Sequence, residues 1–107
     1  MSNIFEFPDY LPDELIENLA VGPNVTVERI VTYNSAEPGK HWYESELDEF
    51  VLLLRGKAVL QDTNNQIYTL LPGDYLVIPR RLKHQVIFTR EQPPTVWLTV
   101  YGRFETG

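Results

Sequence analysis

Glu49 leads into the apolar run Phe50-Val51-Leu52-Leu53-Leu54, which closes at Arg55-Gly56, and His84 follows the turn-bounded run Leu71-Pro72-Gly73-Asp74-Tyr75-Leu76-Val77-Ile78-Pro79. The chain has only one other histidine, His41. A carboxylate and an imidazole carried at the ends of strands can meet inside a small barrel. There the pair can exchange a proton, grip a polar ligand or donate to a divalent metal.

The elements that must position these groups fit in 107 residues, a length suited to one core and one domain, 1–107. A hydrophobic fraction of 43% and a charged fraction of 22% are those of an ordinary globular protein. The longest apolar runs fall far short of the roughly 18–20 residues of a membrane-spanning helix, and no basic-then-apolar leader opens the chain. A cytoplasmic location without membrane contact is the expectation. With no cysteine, disulfides, thiolate ligands and a cysteine nucleophile are all excluded, so any metal would need nitrogen and oxygen donors. A net charge of -6 argues against nucleic acid as a partner. The short basic cluster Arg80-Arg81-Lys83 reads as a solvated loop or as a means of steering an anionic ligand.

Residues 1–24 are rich in proline and acids, and Pro12-Asp13-Glu14-Leu15-Ile16-Glu17-Asn18-Leu19 has a helix-like first turn and a short apolar stripe. That pattern predicts a short N-terminal helix packed as a lid, ended by Gly22-Pro23-Asn24. From Val25 the chain changes to short runs rich in Val, Ile, Tyr, Thr and Trp. Strands are expected near 25–33, 41–43, 49–54, 57–61, 66–71, 75–79, 84–89 and 95–101. Asp62-Thr63-Asn64-Asn65 and Leu71-Pro72-Gly73-Asp74 mark turns between them. Many short strands without βαβ alternation predict an all-β sandwich or barrel over 25–101.

Over Val25 to Tyr101 the chain resembles a small single-domain cupin, the double-stranded β-helix form of the jelly roll. Cupins carry a first motif, G-x5-H-x-H-x3-4-E-x6-G, and a second, G-x5-P-x-G-x2-H-x3-N. Their histidines and glutamate bind a divalent metal. Glu49 and Gly56 keep the spacing of the first motif, and Gly73, Pro79 and His84 keep that of the second. The departures are as informative. The two first-motif histidines fall on Tyr43 and Ser45 with a three-residue gap, or on Trp42 and Glu44 with a four-residue gap. Arg81 and Phe88 stand at the second motif's glycine and asparagine.

The resemblance therefore implies a reduced metal set of His84 and Glu49, joined by His41, Glu44 or Tyr43. His41, Glu49 and His84 together would make a two-histidine, one-carboxylate site for Zn, Fe, Mn or Ni. Each residue also has a plainer reading. His84 would serve equally as a core-edge histidine, sharing a strand face with Val86 and Phe88, and Glu49 as one more acid of the solvated run Glu44–Glu49. An inward Glu49 would need His84 or Arg29 as partner, Arg29 being in phase with Val27 and Val31. Tyr43 and Phe88 are candidates to line a small-molecule pocket, while Trp97 and Tyr101 read as core or homodimer packing. Three functions follow: a small-molecule-binding module using Tyr43, Phe88, Arg29 and His84; a divalent-metal enzyme with Tyr43 or Glu44 assisting proton transfer; or an assembly module with no site.

Overall fold

The computed structural model describes residues 1–34 and 41–105. Its strands are β1 (Leu15–Gly22), β2 (Val25–Thr32), β3 (Asp48–Arg55), β4 (Ala58–Asp62), β5 (Ile67–Leu70), β6 (Tyr75–Ile78), β7 (His84–Thr89) and β8 (Thr95–Gly102). They form two antiparallel sheets, one ordered β1-β2-β8-β3-β6 and one ordered β5-β4-β7. Strands distant in sequence are neighbours in the larger sheet, as a jelly roll requires. Among the described residues no helix is long and apolar enough to cross a membrane.

The expected N-terminal helix does not form. From Leu15 the chain is a strand that pairs along β2, Leu15 opposite Val31 through Gly22 opposite Val25, with a bulge between Asn18 and Ala20. A two-turn helix gains little against its nucleation cost, whereas β1 satisfies an otherwise open edge of β2. The apolar stripe is split as a result. Leu15 packs with Phe7 and Leu11 on the outer face of the sheet, while Ile16 turns to the inner side. The arm is not a lid either, because Phe7 and Leu11 cover Val31, Tyr33 and Val96 on that outer face. The strand expected at 41–43 reduces to one bridge, Tyr43 with His84.

Arg29 fastens the arm. It lies opposite Glu17 in β1 and Leu98 in β8, ion-pairs with the Glu17 carboxylate, and donates from Nη1 to the carbonyls of Ile4 (3.0 Å) and Glu6 (2.9 Å). A buried guanidinium with this many acceptors is compensated for its lost hydration. Between the sheets, Val51, Leu53, Ala58, Leu60, Leu70, Ile78 and Trp97 form the inner core.

Two glycines at the motif positions have backbone reasons. Gly56 turns β3 into β4 at φ 94°, and a Cβ there would stand 2.5 Å from Thr95 Oγ1 and 2.9 Å from Thr95 Cα. Gly73 turns at φ 93°, with its N–H donating to the Leu53 carbonyl at 2.7 Å. Arg81 adopts φ 68° where the motif has glycine, held by its N–H to the Ser45 carbonyl at 2.7 Å. Gly56→Ala combines left-handed strain with a clash against backbone and is predicted to cost about 1–3 kcal/mol in urea unfolding. A loss within experimental error would show that the hairpin relaxes freely.

Candidate functional site

The inner face of the larger sheet is set by register. Tyr101 lies opposite Glu49, Thr99 opposite both Glu28 and Val51, and Trp97 opposite Ile30 and Leu53. Side chains of alternate residues share a face, so these rows all turn toward the smaller sheet. On that sheet His84 lies opposite Asp62 and Val86 opposite Leu60. The two sheets do not meet completely at this end. Between them lies a cavity of about 200 Å³, with Ile30, Val51, Leu60, Val86 and Trp97 as its apolar wall and Glu28, Glu49, Tyr43, His84, Thr99 and Tyr101 as its polar part. Glu14 and Ile16 complete the rim, and with Tyr43 they are exposed.

His84 is 8% exposed and held from three sides. Its peptide exchanges hydrogen bonds with Tyr43, N–H to carbonyl at 3.0 Å and 2.7 Å. Its Nδ1 is 3.1 Å from the Leu82 carbonyl and its Nε2 is 3.6 Å from Glu49 Oε1. A carbonyl can only accept, so Nδ1 carries a proton. Nε2 then faces a carboxylate and is best satisfied by a second proton. Burial disfavours that charge, but Glu49, the Leu82 carbonyl and Asp62 outweigh it and raise the pKa above 6.5. Tyr101 lies opposite Glu49 in the strand register; burial first, then Glu49 and Glu28, push its phenol far above the ordinary value. Burial, Glu14 and Glu49 raise Tyr43 as well. Both phenols are therefore proton donors around Glu49 at neutral pH.

The sequence candidates are distributed unequally. Glu49, His84 and Tyr43 come together in the cavity lining. His41 and Glu44 are exposed and are not part of that lining. Arg29 keeps the phase expected of it, but that phase faces the arm, and its partner is Glu17 rather than Glu49. Phe88 leaves the face of His84 and Val86 because β7 carries an extra residue: Val59 pairs with Phe88 and the next residue, Leu60, pairs with Val86. This bulge reverses the alternation. Phe88 is instead exposed, its ring 6.0 Å from Lys57 Nζ. Trp97 and Tyr101, read from sequence as core or dimer residues, line the cavity together with Thr99. Their spacing in Trp97-Leu98-Thr99-Val100-Tyr101 was the available signal. Glu28 and Ile30 repeat it in β2.

Among the described residues the donor set does not fit a resident divalent metal. Among the described residues no group of three His, Asp or Glu side chains converges as ligands, and Glu49 with His84 supplies two. The cavity instead offers proton donors and acceptors around an apolar wall.

The cupin domain family model matches residues 29–101. A solved "putative mannose-6-phosphate isomerase" from Ralstonia eutropha JMP134 is 32% identical, covers 97% of this chain and 98% of its own, and superposes with a TM-score of 0.88. A cupin superfamily protein from Desulfitobacterium hafniense DCB-2 is similar in fold, at 19% identity, 92% and 84% coverage and a TM-score of 0.75. An RmlC-like cupin family protein with a double-stranded β-helix fold from Methanocaldococcus jannaschii gives 14%, 96% and 92%, and 0.70. No curated protein matches the chain.

Because the folded pKa of His84 is raised, its ionisation contributes stability in full below the unfolded value of 6.5 and loses it as pH rises through the folded value. Imidazole NMR titration should place the wild-type midpoint above 6.5. In Glu49→Gln the midpoint should fall, since burial then meets weaker opposition. An unchanged midpoint in that variant would remove Glu49 as the partner.

Proposed function

The chain belongs to the cupin domain family, and on that basis we propose that it is a small-molecule-binding barrel whose ligand sits between the sheets against His84, Glu49, Tyr43 and Tyr101. The observation that carries this reading is the cavity of about 200 Å³ at which those four polar groups converge on an apolar wall. Cavities of that make-up are where proteins hold small ligands, and the reading needs no metal. An assembly module would have no reason to leave an imidazole, a carboxylate and two phenols around open space.

Proton-transfer catalysis is a second reading. The Ralstonia relative, at 32% identity, is described as an isomerase, and such chemistry needs an acid and a base within one site. A protonated His84, Glu49 and the Tyr101 phenol meet that need within one lining. Fold alone does not choose between the two readings, since one architecture hosts many functions.

The test uses protein purified without a tag or chelator. Small neutral, cationic and anionic compounds are screened by NMR, with the Trp97 indole and the Leu60 and Val86 methyls as reporters. Binding should shift these signals and should vanish in Val86→Phe, which fills the cavity, while that variant keeps a folded spectrum. Elemental analysis should find no stoichiometric metal that depends on His84. Near-stoichiometric metal lost in both His84→Ala and Glu49→Ala would overturn the metal-free reading in favour of a metalloenzyme. Binding unaffected by Val86→Phe would overturn the cavity as the site.

A further inference from the structure

The charge around the barrel cavity narrows what it can hold, and this step rests on the cavity being the ligand site. Three carboxylates belong to the lining, Glu14, Glu28 and Glu49, and among the described residues no Lys or Arg does. Four of the described basic side chains are engaged elsewhere. Arg29 is bound to Glu17 behind the sheet, Arg81 pairs with Glu46 at 3.2 Å, and Arg55 and Lys57 lie over the rings of Phe5 and Phe88. Among the described lining residues His84 is the one that can carry a positive charge, and it faces Glu49.

Glu14 and Glu28 are held by neutral donors. Trp97 Nε1 donates to Thr32 Oγ1 at 3.0 Å, and Thr32 Oγ1 donates to Glu14 Oε2 at 3.0 Å. Thr99 Oγ1 donates to Glu28 Oε1 at 3.4 Å. Trp97, Thr32 and Thr99 are buried, so the anchors come from the rigid interior of β2 and β8. Hydroxyl anchors fix a carboxylate in place without cancelling its charge. Glu28 is half-buried beside the cavity and Glu14 is exposed at its rim, so both add negative potential at the mouth, and solvent screens Glu14 more than Glu28.

We propose that the cavity takes a small organic cation, an ammonium or similar group on a short apolar body, and rejects phosphate and carboxylate ligands. The cationic head lies between Glu28 and Glu14, and the body lies against Val51, Leu60 and Val86. Size follows from volume. A cavity of about 200 Å³ is somewhat larger than the roughly 150 Å³ cavity that encloses a benzene ring, so a short apolar body with its head group fits within it. A phosphorylated hexose, the kind of substrate the Ralstonia relative's name implies, carries the disfavoured charge.

The experiment compares n-butylammonium, 1-butanol, butyrate and inorganic phosphate as probes of the intact protein, at low salt and pH 7.5, by NMR titration of the Trp97 indole. The wild type should bind n-butylammonium roughly tenfold more tightly than 1-butanol, and neither anion detectably. The preference should shrink with added salt. In Glu14→Gln/Glu28→Gln it should fall to within about twofold while 1-butanol binding stays as in the wild type, which also shows that the variant is folded. Equal binding of butylammonium and butanol in the wild type, or a preference that survives the double substitution, overturns the cation inference and leaves the cavity reading intact. Tighter binding of butyrate or phosphate does the same. Failure of all four probes to reach the cavity overturns both.

Discussion

Strand β8 is hydrogen-bonded on both sides, to β2 and to β3, and the parity of its residues decides what each face of the larger sheet can do. Val96 goes to the outer face, where the N-terminal arm buries it beside Val31 and Tyr33. Trp97, Thr99 and Tyr101 go to the inner face and become one wall of the cavity. A slip of one residue would exchange these sets, putting valines in the cavity and a phenol under the arm. Such a slip is opposed at both ends: Gly56 is pressed against Thr95 at the start of β8, and the Phe104 N–H donates to Asp48 Oδ2 at 3.0 Å just past its end.

Within that frame the His84 and Glu49 pair is tolerable because every polar atom around it has a role. The Leu82 carbonyl accepts from Nδ1, Glu49 faces Nε2, and Tyr101 lies opposite Glu49 in the strand register. Behind His84 stands Asp62, 2% exposed, opposite it in the strand register. Asp62 accepts from the Tyr68 hydroxyl at 2.8 Å and from the Asn64 and Gln66 N–H groups at 2.8 Å and 3.0 Å. One carboxylate therefore builds the β4–β5 turn and also biases the imidazole, which ties the electrostatics of the cavity to a hairpin outside it. Among the described residues no buried side-chain polar atom lacks a hydrogen-bond partner. The site is polar by construction rather than through incomplete packing.

What the sequence made legible was whatever depended on turns. The spacing from Glu49 to Gly56 and from Gly73 through Pro79 to His84 reflects hairpins whose geometry restricts residue type, so fold and central pair could both be read from it. Three features were not legible. The bulge in β7 follows from how β7 meets β4 across the smaller sheet, and nothing local to Ile87-Phe88 announces it; hence Phe88 was assigned to the wrong face. Leu15, Ile16 and Leu19 have a helical spacing, but the open edge of β2 outbid local propensity. Arg29 had the right phase, and only the path of the arm decides which side of the sheet is packed by Phe7 and which by ligand.

The position of Tyr43 explains how a cupin barrel can keep a polar interior with so few histidines. Of the two possible alignments of the first motif, the three-residue gap puts Tyr43 and Ser45 at the histidine positions, and the structure agrees with it for Tyr43. Its backbone pairs with His84, its side chain lines the cavity, and its ring centroid is 6.0 Å from that of His84. Ser45 has been turned to architecture, its hydroxyl accepting from the Leu47 N–H at 3.0 Å and its carbonyl from Arg81. A phenol whose pKa is raised by burial and neighbouring acids stays protonated, so this position presents a hydrogen-bond donor where a histidine would offer a lone pair. A phenol in place of a lone-pair donor, a serine committed to a turn, and two carboxylates anchored by threonines are the features on which the proposed preference for a cationic ligand rests.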